Sequence, residues 1–496
     1  MQSIDSWITS HANFTPDKVA ILFEGESLTY GEFAAQTEKA ASFLTSNGID
    51  RGDRVAYLGL NRPEILVLLF ACAQLGAILV PLNWRLTPTE LSGIVEDASA
   101  SILFYDEHFS SEDYQSVSET SAGCQAIDIN KLTNNSAQDF ESRGTFGDPV
   151  LIVYTSGTTG KPKGAVLTQE ALFYNALNSR HMHKMTEDDL IFVALPLFHV
   201  GGLNIQLTPG LYMGATIDLH ERFDPAIALK RLTASQTTLG VLVPAAMEAV
   251  MTLDSWETAD FSNLKALGTG STIVPTKLIE AFENKNCSVI QVYGSTETCP
   301  IAAYQAIGEG KTHPSSTGKP ALHCQVRVSK DDLIVTEPDE LGEIEVSGPS
   351  ILSRYWGNET ETEKALVNGW FKTGDLGCWD TDGYLYFKDR KKHLVISGGE
   401  NISPAEIEAV IMSTGKVKEC VVVGVPDERW GEVPLALIVL KDETTKDEID
   451  FQTLFQNNLA RFKHPKQILF RGQLPRSAMG KIQPHIVREQ VLAELS

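Results

Sequence analysis

Over the first 300 residues, short β-rich runs alternate with helical stretches, and this alternation constrains the fold more than any other feature of the chain. Arg54–Leu58, Ser101–Tyr105, Pro149–Tyr154, Leu190–Leu195 and Ser288–Tyr293 read as strands, with helical segments such as Tyr30–Asn47 between them. Such alternation predicts α/β architecture with stacked sheets and a large core. After about residue 325 the pattern changes to short pieces, Gln325–Ser329, Leu333–Thr336 and Glu343–Ser347, which read as a β-rich subdomain. The last hundred residues read as a separate small α+β unit. There a helix at Pro404–Ser413 precedes strands at Glu419–Val425 and Leu435–Leu440, a charged turn at Lys441–Asp450 and a helix ending near Ala460.

Charge marks the same boundary. Residues 391–496 carry 14 basic and 14 acidic side chains, so the formal charge of −23 resides entirely in the first 390. The expected division is therefore 1–390 and 391–496. Overall acidity excludes a nucleic-acid binder, whose footprint is basic, and argues against docking on an anionic membrane. Within the small unit, residues 461–490 hold seven basic side chains and one acid, Glu489. That patch suits a local polyanion such as nucleotide phosphates, or is a solvated positive face.

Seven cysteines show no metal-ligand spacing, and an odd count forms no disulfide framework. Free thiols and a cytoplasmic location are expected, the start showing no secretory pattern. The one membrane-like run is Ile65 to Leu82, with Gln74 as its single polar residue. Gly76 and Pro81 interrupt it, and Asn61-Arg62-Pro63-Glu64 reads as a helix start. A buried helix over about 63–75, then a core strand at Ala77–Val80, is expected instead of a span.

The strongest local signal is Tyr154-Thr-Ser-Gly-Thr-Thr-Gly-Lys-Pro-Lys-Gly164, after the apolar strand Val150–Val153. Gly157 and Gly160 let backbone approach an anion. Thr155, Ser156, Thr158 and Thr159 can donate to phosphate oxygens, and Lys161 and Lys163 add positive charge. A Walker A loop would need Gly at 155 and Ser or Thr at 162, where the chain has Thr155 and Pro162.

This loop resembles the signature of the adenylate-forming superfamily: acyl- and aryl-CoA synthetases, firefly-type luciferases and peptide-synthetase adenylation domains. Further motifs follow in register over nearly the whole chain: Pro196-Leu-Phe-His199, Tyr293-Gly-Ser-Thr-Glu297, Thr373-Gly-Asp375, Asp389-Arg390, Ser397-Gly-Gly-Glu-Asn-Ile-Ser-Pro404 and Gly480-Lys481. The resemblance implies a large N-terminal domain binding ATP and the acyl group, and a small mobile C-terminal domain turning about a hinge near Lys392. It implies a reaction in which a carboxylic acid and ATP form an acyl-adenylate, which CoA converts to a thioester. Positioning and charge stabilisation dominate such nucleotidyl transfer.

The same resemblance implies the site. Thr155 to Lys161, with Gly294 and Thr296, would cradle phosphate. Glu297 would hold Mg²⁺, a hard cation preferring oxygen. Gly270, Ser271, Gln291 and Tyr293 would line the adenine pocket. Asp375 would accept from both ribose hydroxyls, with Arg390 adding donors. Lys481 would contact the carboxylate and the α-phosphate. Gly398 and Gly399 would admit pantetheine, and His199, Gly201, Gly202 and Val243 would border the acyl pocket. No Arg or Lys falls in 199–207, 242–247 or 268–273. A second substrate charge would lack a partner there, so a fatty or aryl acid is expected. His181 and His183 read as surface residues. The implied partners are the acid, ATP and CoA, with a homodimer left open. Alternatives are transfer to a carrier-protein thiol or another acceptor, or a non-catalytic nucleotide-binding relative.

Overall fold

The computed structural model describes residues 3–134, 140–155, 162–271, 274–330, 333–390, 394–441, 444–475, 482 and 484–495. The chain divides into two compact units. The first comprises Met1–Asn83, Val95–Val153 and Gly164–Asp389; the second comprises Trp84–Ile94, Tyr154–Lys163 and Arg390–Ser496. Two short segments that the charge boundary leaves with the N-terminal part thus fall in the second unit.

In the first unit, six parallel strands form the centre of a nine-stranded sheet: Val289–Tyr293, Ala266–Gly270, Leu239–Val241, Leu190–Val193, Thr216–Leu219 and Val19–Phe23, in that order. Antiparallel strands close both edges. A second sheet has parallel strands Pro149–Thr155, Ile78–Pro81, Arg54–Leu58, Ile102–Tyr105 and Gln125–Asp128. Apolar side chains of both sheets meet in one core, whose centre is the helix Pro63–Leu75. Every residue from Ile65 to Ala73 in that helix is buried, which explains its membrane-like sequence: a helix packed on all sides is apolar on all sides. Pro63 starts it and Gly76, at φ +73°, ends it. Among the described residues no helix is long and apolar enough to cross a membrane.

The far face of the nine-stranded sheet packs the helices Pro225–Leu232, Pro244–Met251 and Thr276–Glu283 around Phe192, Leu267 and Val289. The expected β-rich subdomain is an antiparallel sheet built on Gln325–Lys330, Gly342–Ser347 and Trp370–Trp379.

The second unit has its own sheet, with the long hairpin Val417–Asp427 and Gly431–Leu440 at its centre. Strand alternation divides its core. Val422, Ala436 and Ile438 face the helices Pro404–Met412 and Phe451–Asn458, while Val421, Val423, Leu435 and Leu437 face the helix Pro484–Leu495. The basic patch departs from expectation. Lys463 is buried and bonds Glu90 (2.6 Å) and Glu406 (2.7 Å). Lys466 pairs with Asp427, Arg471 with Glu494, and Arg488 with Glu432. Acids distant in sequence neutralise most of a run that is positive when read linearly.

Candidate active site

Parallel α/β sheets bind ligands beyond the carboxyl ends of their strands, where chain direction leaves loops and unpaired backbone groups. In the first unit that edge carries Gly270 and Tyr293, on neighbouring strands with Gly270 opposite Val292. A Cβ at Gly270 would lie 2.5 Å from the Val292 carbonyl oxygen, so the close strand approach excludes any side chain. Ser271 follows at φ +70°. After Tyr293 the chain turns so tightly that a Cβ on Gly294 would fall 1.6 Å from the Pro300 carbonyl oxygen.

Tyr293 Oη donates to Asp375 Oδ2 at 2.8 Å, joining two motifs 82 residues apart. Asp375 is only 4% exposed. It sits in a bulge within the strand Trp370–Trp379. Glu343 faces Leu376 and Glu345 faces Lys372, so Thr373-Gly374-Asp375 oppose Ile344 alone. Gly374 takes φ +73° there, and Thr373 Oγ1 accepts from the Asp375 N–H. The bulge re-aims one carboxylate out of the sheet's regular alternation. Gln291 is also buried, and its side-chain amide donates to the Pro314 carbonyl (2.6 Å).

Thr296 and Glu297 open the single 3₁₀ turn Thr296–Thr298, both half-buried. Tyr355 Oη donates to Glu297 Oε1 at 2.9 Å, and the Leu352 N–H donates to the Glu297 carbonyl at 2.8 Å. Burial, and then the Glu297 charge, raise the Tyr355 phenol far above its ordinary pKa, so it remains a donor. Tyr355 lies 58 residues from Glu297 and is absent from the sequence reading. The one signal was a tyrosine in Arg354-Tyr-Trp-Gly357, with no spacing to tie it to a carboxylate. An oriented carboxylate is an oxygen donor of the kind Mg²⁺ takes.

Between the strands and the turn Val200–Gly202 lies a small, partly open pocket lined by Phe192, Val193, Ala194, Leu195, Gly201, Gly202, Gln206 and Val241. Gly201 and Gly202, expected at the acyl pocket, are among its lining residues. Gly202 passes so close to Leu195 and Pro196 that a Cβ would meet their carbonyl oxygens at 2.8 and 2.3 Å. Val243 does not line this pocket. It caps the helix Pro244–Met251 and packs on the opposite core, because the chain leaves the sheet after Val241. His199 is the N-cap of Val200–Gly202, half-buried with its ring on Phe198 (4.4 Å). His181 is exposed and bonds Tyr304 Oη (2.7 Å), but His183 is fully buried, contrary to the surface reading. It lies on the face of its helix, Gln169–His183, that also buries Ala176, Ser179 and Met182.

Thr155 ends the strand Pro149–Thr155, and Arg390 ends Leu385–Arg390. Ser156, Gly157, Thr158, Thr159, Gly160, Lys161, Lys392 and Lys481 lie outside the described residues. In the second unit, Gly398 (φ +58°) and Gly399 (φ +88°) form a two-residue turn between Val395–Ser397 and Glu400–Ile402, with Ser397 opposite Glu400. A Cβ at Gly398 would meet Trp430 Cε3 at 2.8 Å, and Trp430 is 43% exposed. Glu400 pairs with Arg85.

Residues 8–356 match the model of the AMP-binding enzyme family, and 406–481 that of its C-terminal domain. The chain is 42% identical to an indoleacetate–CoA ligase of Aromatoleum aromaticum, covering 98% of each protein. It is 36% identical to a feruloyl-CoA synthase of Amycolatopsis, over 99% of each. A solved o-succinylbenzoate CoA synthetase of Bacillus subtilis, a double mutant bound to a product analogue, superposes with a TM-score of 0.89. It is 32% identical, over 97% of this chain and 98% of that one. The chain belongs to the AMP-binding enzyme family. It is an AMP-forming acid:CoA ligase, an α/β adenylate-forming enzyme that uses ATP, Mg²⁺ and CoA.

Proposed function

We propose that this ligase activates an aryl acid of the arylacetate kind. The observation that carries the reading is the 42% identity, end to end, with an indoleacetate–CoA ligase. The pocket supports it: Phe192, Val193, Leu195 and Val241 offer apolar walls, and among the described residues no Lys or Arg lines it. Such walls suit an apolar group, and a second carboxylate would be left uncompensated.

The residues divide the work as follows. Asp375, buried and held by Tyr293, takes the ribose hydroxyls, and Gly270 and Ser271 line the adenine pocket with Tyr293. Thr155 to Lys161 and Thr296 donate to the phosphates. Glu297, oriented by Tyr355, would hold Mg²⁺, which supplies charge neutralisation at the phosphates when bound. Lys481 brings a cation to the carboxylate and α-phosphate, the position where charge changes most in the first step. Arg390 and Lys392 form the junction about which the C-terminal domain turns between half-reactions. Gly398-Gly399 then serves the CoA step, with His199 at the acyl pocket. We place the enzyme in the cytoplasm, a reading that seven free cysteines support.

The test is a panel of aryl, arylacetic, fatty and dicarboxylic acids, scored by CoA-dependent AMP release. Arylacetates should give the highest kcat/KM. A higher value for a fatty or dicarboxylic acid would refute the reading, and AMP release with a carrier protein but not with CoA would replace the acceptor.

A further inference from the structure

The pocket is apolar except at one corner. Gln206 is 2% exposed and lines it. Its Nε2 donates to the Gly240 carbonyl (3.2 Å), which fixes the amide orientation and leaves Oε1 facing the other way. Among the described residues that oxygen is buried with no hydrogen-bond partner.

A second acceptor stands close by. His183 is fully buried, and Nδ1 lies 2.9 Å from the Ser179 carbonyl. Ser179 Oγ already donates to the Ile205 carbonyl, so the histidine proton belongs on Nδ1, bonding the Ser179 carbonyl. Burial pushes the ring's pKa down to about 4, so the ring is neutral and Nε2 is a bare lone pair. Nε2 too has no partner among the described residues. A Cβ on Gly268 would lie 3.7 Å from Nε2, 3.7 Å from the Gly240 carbonyl oxygen and 3.3 Å from Val241 Cγ2. The Gly268 Cβ position thus lies within van der Waals reach of both His183 Nε2 and the carbonyl that Gln206 bonds.

Two buried acceptors without donors are costly unless something supplies a proton. We propose that Gln206 Oε1, with His183 Nε2 behind it, accepts a hydrogen bond from a ring N–H or O–H on the acyl substrate. This deepens the aryl-acid reading and rests on it: the ligase selects aryl acids whose ring carries a donor. A site that must bond a donor rejects an isostere without one, because its own polar atoms are then left unmatched.

Two matched pairs test this: indole-3-acetate against 1-naphthylacetate, and 4-hydroxyphenylacetate against 4-methylphenylacetate. The wild-type enzyme should favour the donor-bearing acid by about tenfold or more in kcat/KM in at least one pair. Gln206→Leu should bring that ratio towards one. The ratio is taken within a single preparation, so a partly folded variant still reports it. Should Gln206→Leu not fold, Gly268→Ala provides the second variant, its methyl asking a shift of a few tenths of an ångström of the Val241 side chain while screening His183 Nε2, and the ratio should again fall. Equal kcat/KM within both pairs would overturn the inference while leaving the aryl-acid reading intact, as would a wild-type preference unchanged in the variants. Turnover of neither pair, with turnover of a fatty acid, would overturn both.

Discussion

Replacing Gly398 by Ala separates the two half-reactions, and the structure sets the size of the effect. Gly398 occupies φ +58°, where an L-residue costs about 1–2 kcal/mol. The new Cβ would also sit 2.8 Å from Trp430 Cε3 and 3.2 Å from Cζ3. Because the indole is 43% exposed, it can tilt away, at about 0.5–1.5 kcal/mol for leaving its rotamer. Together these give about 1.5–3.5 kcal/mol, or roughly 10- to 400-fold in a rate that needs the native turn. Adenylation uses none of the turn's residues in the scheme above. ATP–pyrophosphate exchange should therefore stay within about threefold of wild type, while CoA-dependent thioester formation in single-turnover quench experiments falls by the larger factor. Repeating the substitution in a Trp430→Ala background removes the steric part. The cost should then shrink to the backbone part alone, about 1–2 kcal/mol. Equal loss in both half-reactions would refute the assignment of this turn to the CoA step. An unchanged cost without the indole would refute the steric account.

The remaining predictions concern charge. Lys481→Ala should lower pyrophosphate exchange by about a hundredfold or more, and near-normal exchange would defeat its assignment. Tyr355→Phe should leave Glu297 less well oriented, raising the Mg²⁺ concentration needed for half-maximal adenylation by roughly tenfold while ATP binding without metal is unchanged. Lys463→Met leaves Glu90 and Glu406 facing each other nearly buried, and should destabilise the second unit by about 3–5 kcal/mol, read by urea unfolding. That loss should depend on pH. Burial already holds the Glu406 carboxyl above its ordinary range, and removing the lysine raises it further. A folded pKa above the unfolded one means the folded state binds the extra proton. The variant is then least impaired below the unfolded carboxylate pKa and loses stability as pH rises between the two values. A pH-independent difference would contradict this.

Much of the fold was legible because its signals are local. Alternation set the α/β class, and Pro63 and Gly76 bounded a helix that hydropathy alone could mistake for a span. The Gly-Gly pair marked a turn that only positive φ permits. The site motifs were legible for the same reason: each packs its residues into a few consecutive positions. What tertiary structure decided is what side chains from distant strands do to one another. Tyr293 meets Asp375 across 82 residues, and Tyr355 meets Glu297 across 58. Lys463 loses its place in a basic patch to two glutamates, one of them 373 residues away. His183, polar and outwardly a surface residue, is buried because it lies on the face of its helix that packs on the core. A residue's type and its neighbours in the chain fix which bonds it can make. Whether a buried acceptor finds a donor, or a charge a partner, depends on which strands the fold lays side by side, and one-dimensional spacing does not carry that information.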